Sequence, residues 1–123
     1  MFNFSGTRPN NLGVTDGALT PCPGTPNCVC SQSDRPQEKI DPLPAVAMDK
    51  LQQVITAMDG ATIIEQTDNY LYAEFKTKLM GFVDDVEFFH GGSAIQVRSA
   101  SRLGKSDLGL NRKRVEEIRS ALA

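Results

Sequence analysis

FVDDVEFFH (Phe82–His90), GGS (Gly91–Ser93), AIQVRSASR (Ala94–Arg102) and LGKSDLGLNRKR (Leu103–Arg114) follow one another without a break. Val83–Phe89 and Ala94–Ala100 alternate as strands do, and His90-Gly91-Gly92-Ser93 between them is a turn with glycine for positive φ. A four-residue loop sets Phe89 against Ala94, Phe88 against Ile95, Glu87 against Gln96, Val86 against Val97, Asp85 against Arg98 and Asp84 against Ser99. Apolar residues then meet on one face and polar residues on the other. A slip of one residue would mix the faces.

The preceding segment, Asn69–Lys76, extends the pattern. Leu71, Ala73 and Phe75 share one face, while Tyr70, Tyr72, Glu74 and Lys76 share the other. With Thr77-Lys78-Leu79-Met80 as the loop, two polar rows are expected across the three strands: Tyr72–Asp85–Arg98 and Tyr70–Glu87–Gln96. The apolar face carries one anomaly, a row of Ala73–Asp84–Ser99. A carboxylate there must find a partner or become neutral.

The chain has 123 residues, enough for one domain with a real core. With 40% hydrophobic and 23% charged residues it reads as an ordinary soluble globule, and no apolar run is long enough to cross a bilayer. MFNFSGTRPNN lacks the regions of a signal peptide. A cytoplasmic location is therefore expected, or a plastid if a targeting segment has been removed. The net charge of -2 offers no general attraction to nucleic acid. Charge is uneven, however: residues 102–119 hold six basic and three acidic groups, and residues 1–101 carry the balance of -5. The favoured reading is that the basic C-terminal helix docks on the acidic sheet of its own fold, ahead of an external anion.

Residues 1–45 contain all seven prolines and form an expected extended arm; residues 46–123 form the α+β domain. Leu12, Val14, Leu19, Val29, Ile40 and Leu43 look like anchors along the arm. Cys22, Cys28 and Cys30 have the spacing C-x5-C-x-C, which matches no standard zinc or redox motif, and His90 is distant, so no metal and no cofactor is expected. A Cys22–Cys28 disulfide across Pro-Gly-Thr-Pro is plausible, with a third thiol left over.

Pro44–Met58 reads as the first helix, ended by Gly60. Ala61–Gln66 is a short strand in which Ile63 and Ile64 cannot both face the core. The last helix is expected from Asn111 as cap to Leu122, burying Val115, Ile118 and Leu122. Its first turn holds Arg112, Lys113 and Arg114, which opposes the helix dipole and calls for a negative neighbour. Asp84 is the internal candidate, with Arg102 and Asp107 able to join. The external candidate is an oxyanion held by Arg102, Ser106, Asn111, Arg112 and Arg114. The architecture expected is a four-stranded antiparallel meander with two helices on one face (α-β-β-β-β-α). Its other face, bearing Tyr70, Tyr72, Asp85, Glu87 and Arg98, is then open, covered by the arm, or pressed on a partner.

PNNLG, GALTPCPGTPNCVCSQ, DDVEFF and RSASRLGKSDLGLNRKRVEEIR together resemble a family known as domain of unknown function 1499, over nearly the whole chain. The resemblance implies a small protein of bacteria, cyanobacteria or plastids and carries no activity. It marks Cys22, Cys28, Asp84, Asp85, Arg98, Ser99, Ser101, Arg102, Ser106, Asp107, Asn111 and Arg112 as motif positions without giving them roles. The family's cysteine motif usually reads PNCVSS, so Cys30 stands where serine is common, which counts against a mechanism needing three thiols.

Two classes follow. The favoured one is a non-catalytic binding or assembly module that grips an unknown protein or a small anionic ligand with its arm and open sheet face; peripheral association with a protein complex fits it. The alternative is an enzyme or anion-binding protein using Asp84, Asp85 and Arg98, with Arg102 and Arg112 on an anionic group. Adjacent strand residues point to opposite faces, so Asp84 and Asp85 cannot act as a dyad.

Overall fold

The computed structural model describes residues 4–78, 80–104 and 107–123. The central hairpin forms, with its apex one residue later than expected. β6 (Val83–His90) and β7 (Ile95–Ser101) are joined by residues 91–94, and His90 pairs with Ile95. Gly91 N–H donates to Ala94 O across the turn, and Gly92 takes φ +104°. Moving the apex by one residue moves every cross-strand pair by two. Glu87 therefore faces Arg98, and Asp85 faces Ala100. The same two-residue shift separates β5 (Tyr70–Lys76) from its expected pairing with β6, so that Phe75 meets Asp84 and Tyr72 meets Glu87. Because side chains alternate with period two, both shifts leave every residue on its expected face.

The sheet has five strands rather than four. The arm supplies β3 (Cys28–Cys30), which pairs antiparallel with β7 and gives the order β3-β7-β6-β5-β4. A proline-flanked edge strand needs only one hydrogen-bonding side, which is why this segment is tolerated there. The arm also folds a small ribbon from β1 (Val14–Thr15) and β2 (Ala18–Leu19). At the other edge, β4 (Ala61–Gln66) resolves the conflict between its two isoleucines with a bulge. Ile63 pairs with Ala73 and Glu65 with Tyr72, leaving Ile64 unpaired and partly exposed.

Both helices pack on one face, as expected. Leu51 and Ile55 from α1 (Met48–Thr56) and Val115, Ile118 and Leu122 from α2 (Leu110–Leu122) share a core with Leu71, Ala73, Phe75, Val86, Phe88, Ile95 and Val97. Val29, Ile40 and Leu43 join that core from the arm. α1 begins four residues later than Pro44. Leu43 exchanges backbone hydrogen bonds with Ile95 at 2.8 and 3.0 Å, which holds the chain extended until Ala47. No helix among the described residues is long and apolar enough to cross a membrane.

Gly60 closes the turn after α1 with φ +77°, and a Cβ there would lie 2.3 Å from Lys76 O on β5. Gly60 O also accepts from Lys76 N–H at 2.9 Å, so the turn cannot swing away cheaply. Gly60→Ala combines left-handed strain with a backbone clash and is expected to cost about 3 kcal/mol or more in a urea melt. A loss within about 0.5 kcal/mol would show that the turn relaxes.

Candidate functional site

The polar face of the sheet carries two connected rows. Glu74, Asp85, Ala100 and Cys28 form one; Tyr72, Glu87, Arg98 and Cys30 form the other. The tyrosines reach the carboxylates expected of them, but diagonally. Tyr72 donates a short hydrogen bond to Asp85, and Tyr70 donates to Glu87 Oε2 at 2.5 Å. A long side chain spans the two-residue offset that the register introduces.

Arg102 is the hub of the first row. Its Nε and Nη2 donate to Asp85 Oδ2 and Oδ1, both at 2.9 Å, and Nη2 also reaches Glu74 Oε2 at 2.6 Å. Nη1 donates to Ser5 O in the arm. This bidentate clamp takes the place expected of Arg98, which instead stands beside Glu87 with Nη1 4.0 Å from Oε1. Strand parity was the missed signal: Gln96, Arg98 and Ala100 share this face, and Arg102 continues the series beyond the end of β7.

The face is not open. Arg8 from the arm donates to Glu74 at 2.7 Å and lies over the Tyr72 ring. Gly13 N–H donates to Glu87 Oε2 at 2.6 Å, and Leu12 and Leu19 pack with Tyr70 and Tyr72. Tyr70, Tyr72, Asp85, Glu87 and Arg98 are all buried as a result. Of the three states expected of this face, the arm-covered one is found and the open one is corrected: the arm brings one cation, one N–H and apolar side chains to the positions where the sheet offers their complements.

Burial and hydrogen bonding set the titration of these groups. Burial pushes both tyrosine hydroxyls up, and bonding to Glu87 or Asp85 pushes them further. Burial also raises the Glu87 carboxyl, against the opposing effects of the Tyr70 hydroxyl, Gly13 N–H and Arg98. Glu74 goes the other way. Burial tends to raise it, but bonds from Arg8, Arg102 and Tyr72 outweigh that and hold it below the usual range. The Cys30 thiol is raised, chiefly by burial.

On the helix side, Asp84 finds its cation. Arg114 Nη2 lies 2.8 Å from Asp84 Oδ2 as a charge contact without an aligned hydrogen bond, and the guanidinium sits 4.8 Å from the Phe75 ring centre. Asn111 is not the helix cap but a fully buried knot inside the first turn. It accepts from Ser99 and Arg114 and donates to Asp107, Ser101 and Asn27 O. Asp107 serves the helix start instead. Its carboxylate accepts from Gly109 and Asn111 backbone N–H, both at 2.9 Å, and places negative charge there. Burial raises Asp107, yet these bonds hold it below its ordinary value. Arg112 reaches the carbonyls of Lys39 and Gln37, and Arg119 those of Pro42 and Asp41, so α2 grips the returning arm.

The expected cluster of Asp84, Arg102 and Arg112 therefore does not assemble. Asp84 faces the helices, Arg102 lies on the far face, and Arg112 points to the arm. Ser106 lies outside the described residues. His90, on the hairpin, accepts from Gly92 N–H through Nδ1. Among the described residues, no three histidine, cysteine or carboxylate side chains converge as a metal ion would require. Cys22 and Cys28 form a disulfide, and Cys30 is a buried free thiol packed beside them.

These features define an α+β domain whose charged sheet face is closed by its own N-terminal arm. A family model described as "Protein of unknown function (DUF1499)" matches residues 18–122, and the chain belongs to that family. No curated protein and no solved structure matches it.

Proposed function

We propose that the protein is a non-catalytic binding or assembly module, and that its contact surface is an apolar-rimmed pocket at the N-terminal end of β6 rather than the covered sheet face. One observation carries this reading. Of the six large hydrophobic side chains exposed among the described residues, four (Phe82, Leu103, Leu108 and Leu110) surround one cavity of about 240 Å3. Val83, Asp84 and Ser101 line it as well. The arm adjoins it, since Phe4 stacks on Phe82 with ring centres 5.2 Å apart. Leu108 is 96% exposed and holds φ +54°, a conformation that costs a leucine free energy. A contiguous apolar patch of this kind on a small domain marks an interaction site.

The occupant that fits is an apolar side chain presented by a partner protein. The cavity takes one or two large side chains, and only a surface laid across the rim would also bury Leu108. Binding is favoured over catalysis because the three motif carboxylates, Asp84, Asp85 and Asp107, are each engaged within the fold. Asp84 is paired with Arg114, Asp85 with Arg102 and Tyr72, and Asp107 with the start of α2. The Cys22–Cys28 disulfide supports an oxidising compartment over the cytoplasm.

A photo-crosslinking residue at position 108, with position 64 as an exposed hydrophobic control, tests the reading in the source cells. Discrete adducts are expected from 108 and not from 64; identical patterns would end it. Leu108→Gly relieves the left-handed backbone, so it is expected to leave stability unchanged or raise it by up to about 1 kcal/mol. A marked loss of stability would mean that Leu108 serves the fold.

A further inference from the structure

We propose that Glu87 and Arg98 form a buried receptor for one small carboxylate, which the guanidinium holds and which shares a proton with Glu87. The inference is independent of the apolar pocket. Arg98 is only 7% exposed, and its Nε is fully buried without a hydrogen-bond partner among the described residues, while its two Nη groups donate to no described residue and still touch solvent. Glu87 is fully buried. Its Oε2 accepts from Tyr70 and Gly13, while Oε1 accepts nothing and faces Arg98 Nη1 across 4.0 Å. That gap is too long for a hydrogen bond.

Arg102, on the same sheet face and beneath the same arm, shows what a satisfied guanidinium looks like here, with a bidentate carboxylate and three further acceptors. The arm therefore can complete such a site, and at Arg98 it does not. Buried polar groups in folded proteins are almost always hydrogen-bonded, and Arg98 and Glu87 face each other as charges without that bond.

The chemistry of the missing partner follows from the two orphans. The planar fork of Arg98 matches two oxygens of a carboxylate. Glu87 Oε1 would repel a second negative charge unless a proton lies between them. Burial raises the Glu87 carboxyl, and a proton on Oε1, whichever of the two acids brings it, is the donor that joins them. A water bridging Oε1 and Nη1 would still leave the buried Nε unanswered. The ligand must be compact, because Leu12, Gly13 and Leu19 roof this face. Cys30, opposite Arg98 on β3, lines a cavity of about 270 Å3, so Arg98 is one residue and Glu87 two residues across the sheet from a void that neither of them lines.

Thermal melts in formate and acetate, against chloride at matched ionic strength, test the proposal on wild type, Arg98→Lys and Glu87→Gln. The wild-type Tm is expected to rise saturably with formate. Arg98→Lys, which lacks the fork, should need about 10-fold more formate or greater. Glu87→Gln should keep or tighten binding, because its amide donates as the protonated carboxyl does. If wild type and Glu87→Gln gain no more than in chloride, the pair is bridged by water and the proposal is overturned. A wild-type-like response in Arg98→Lys would overturn it too, by placing the ion elsewhere. Should Arg98→Lys fail to fold, Glu87→Met decides: retention of the saturable rise would sink the proposal.

Discussion

Asp84→Asn is expected to lower the unfolding free energy by about 3–5 kcal/mol, the cost of leaving a buried charge without its partner. The stranded group is Arg114, whose side chain is 9% exposed and whose partners among the described residues, besides Asp84, are neutral: Asn111, Ser99 and the Phe75 ring. Asparagine keeps the shape of aspartate, so the loss isolates charge rather than packing. Arg114→Met in the Asp84→Asn background removes the stranded cation and should recover at least half of the loss. A denaturant melt of the four proteins closes the cycle. A single-variant loss within about 0.5 kcal/mol would mean that water screens the pair.

Arg102→Met is expected to have an effect of similar size, about 3–5 kcal/mol, because Asp85 is 2% exposed and Arg102 is its only cation among the described residues. Adding Asp85→Asn should return a large part of it. The pH dependence supplies a second check. Glu74 has a folded pKa below its unfolded value of 4.5, partly through Arg102. Its contribution is therefore fully present above pH 4.5 and is lost as pH falls below that through the folded value. The gap between wild type and Arg102→Met should be widest near neutral pH and narrow in acid. A gap that widens on acidification would contradict the ion-pair account.

Both predictions rest on an assignment that the strand pattern already contained. Consecutive aspartates in a pleated strand must face opposite ways, and Asp84 under the helices with Asp85 on the polar face follows from alternation alone. The tyrosine–carboxylate pairs, the two-helix face, the Cys22–Cys28 pairing and the turn at Gly60 were legible for similarly local reasons. The cations were harder. Arg98 was matched to Asp85 by register, whereas Arg102 holds it, because registers two residues apart satisfy the same hydrophobic pattern and only the hairpin apex chooses between them. Alternation puts Glu74 on the polar face but cannot show its partner, since Arg8 lies 66 residues away. Asp107 was read as a member of a basic cluster, although its role at the start of α2 depends on the backbone path between Asp107 and Asn111.

Period-two and helical patterning thus determined by themselves which faces exist and which residues occupy them, because side-chain direction is a property of the local backbone. Tertiary structure decided the partners on those faces and the closure of one of them. The arm carries no periodic signal. Its fifth strand, its cover over the charged rows and the gap it leaves at Arg98 arise only when distant backbone groups meet the sheet.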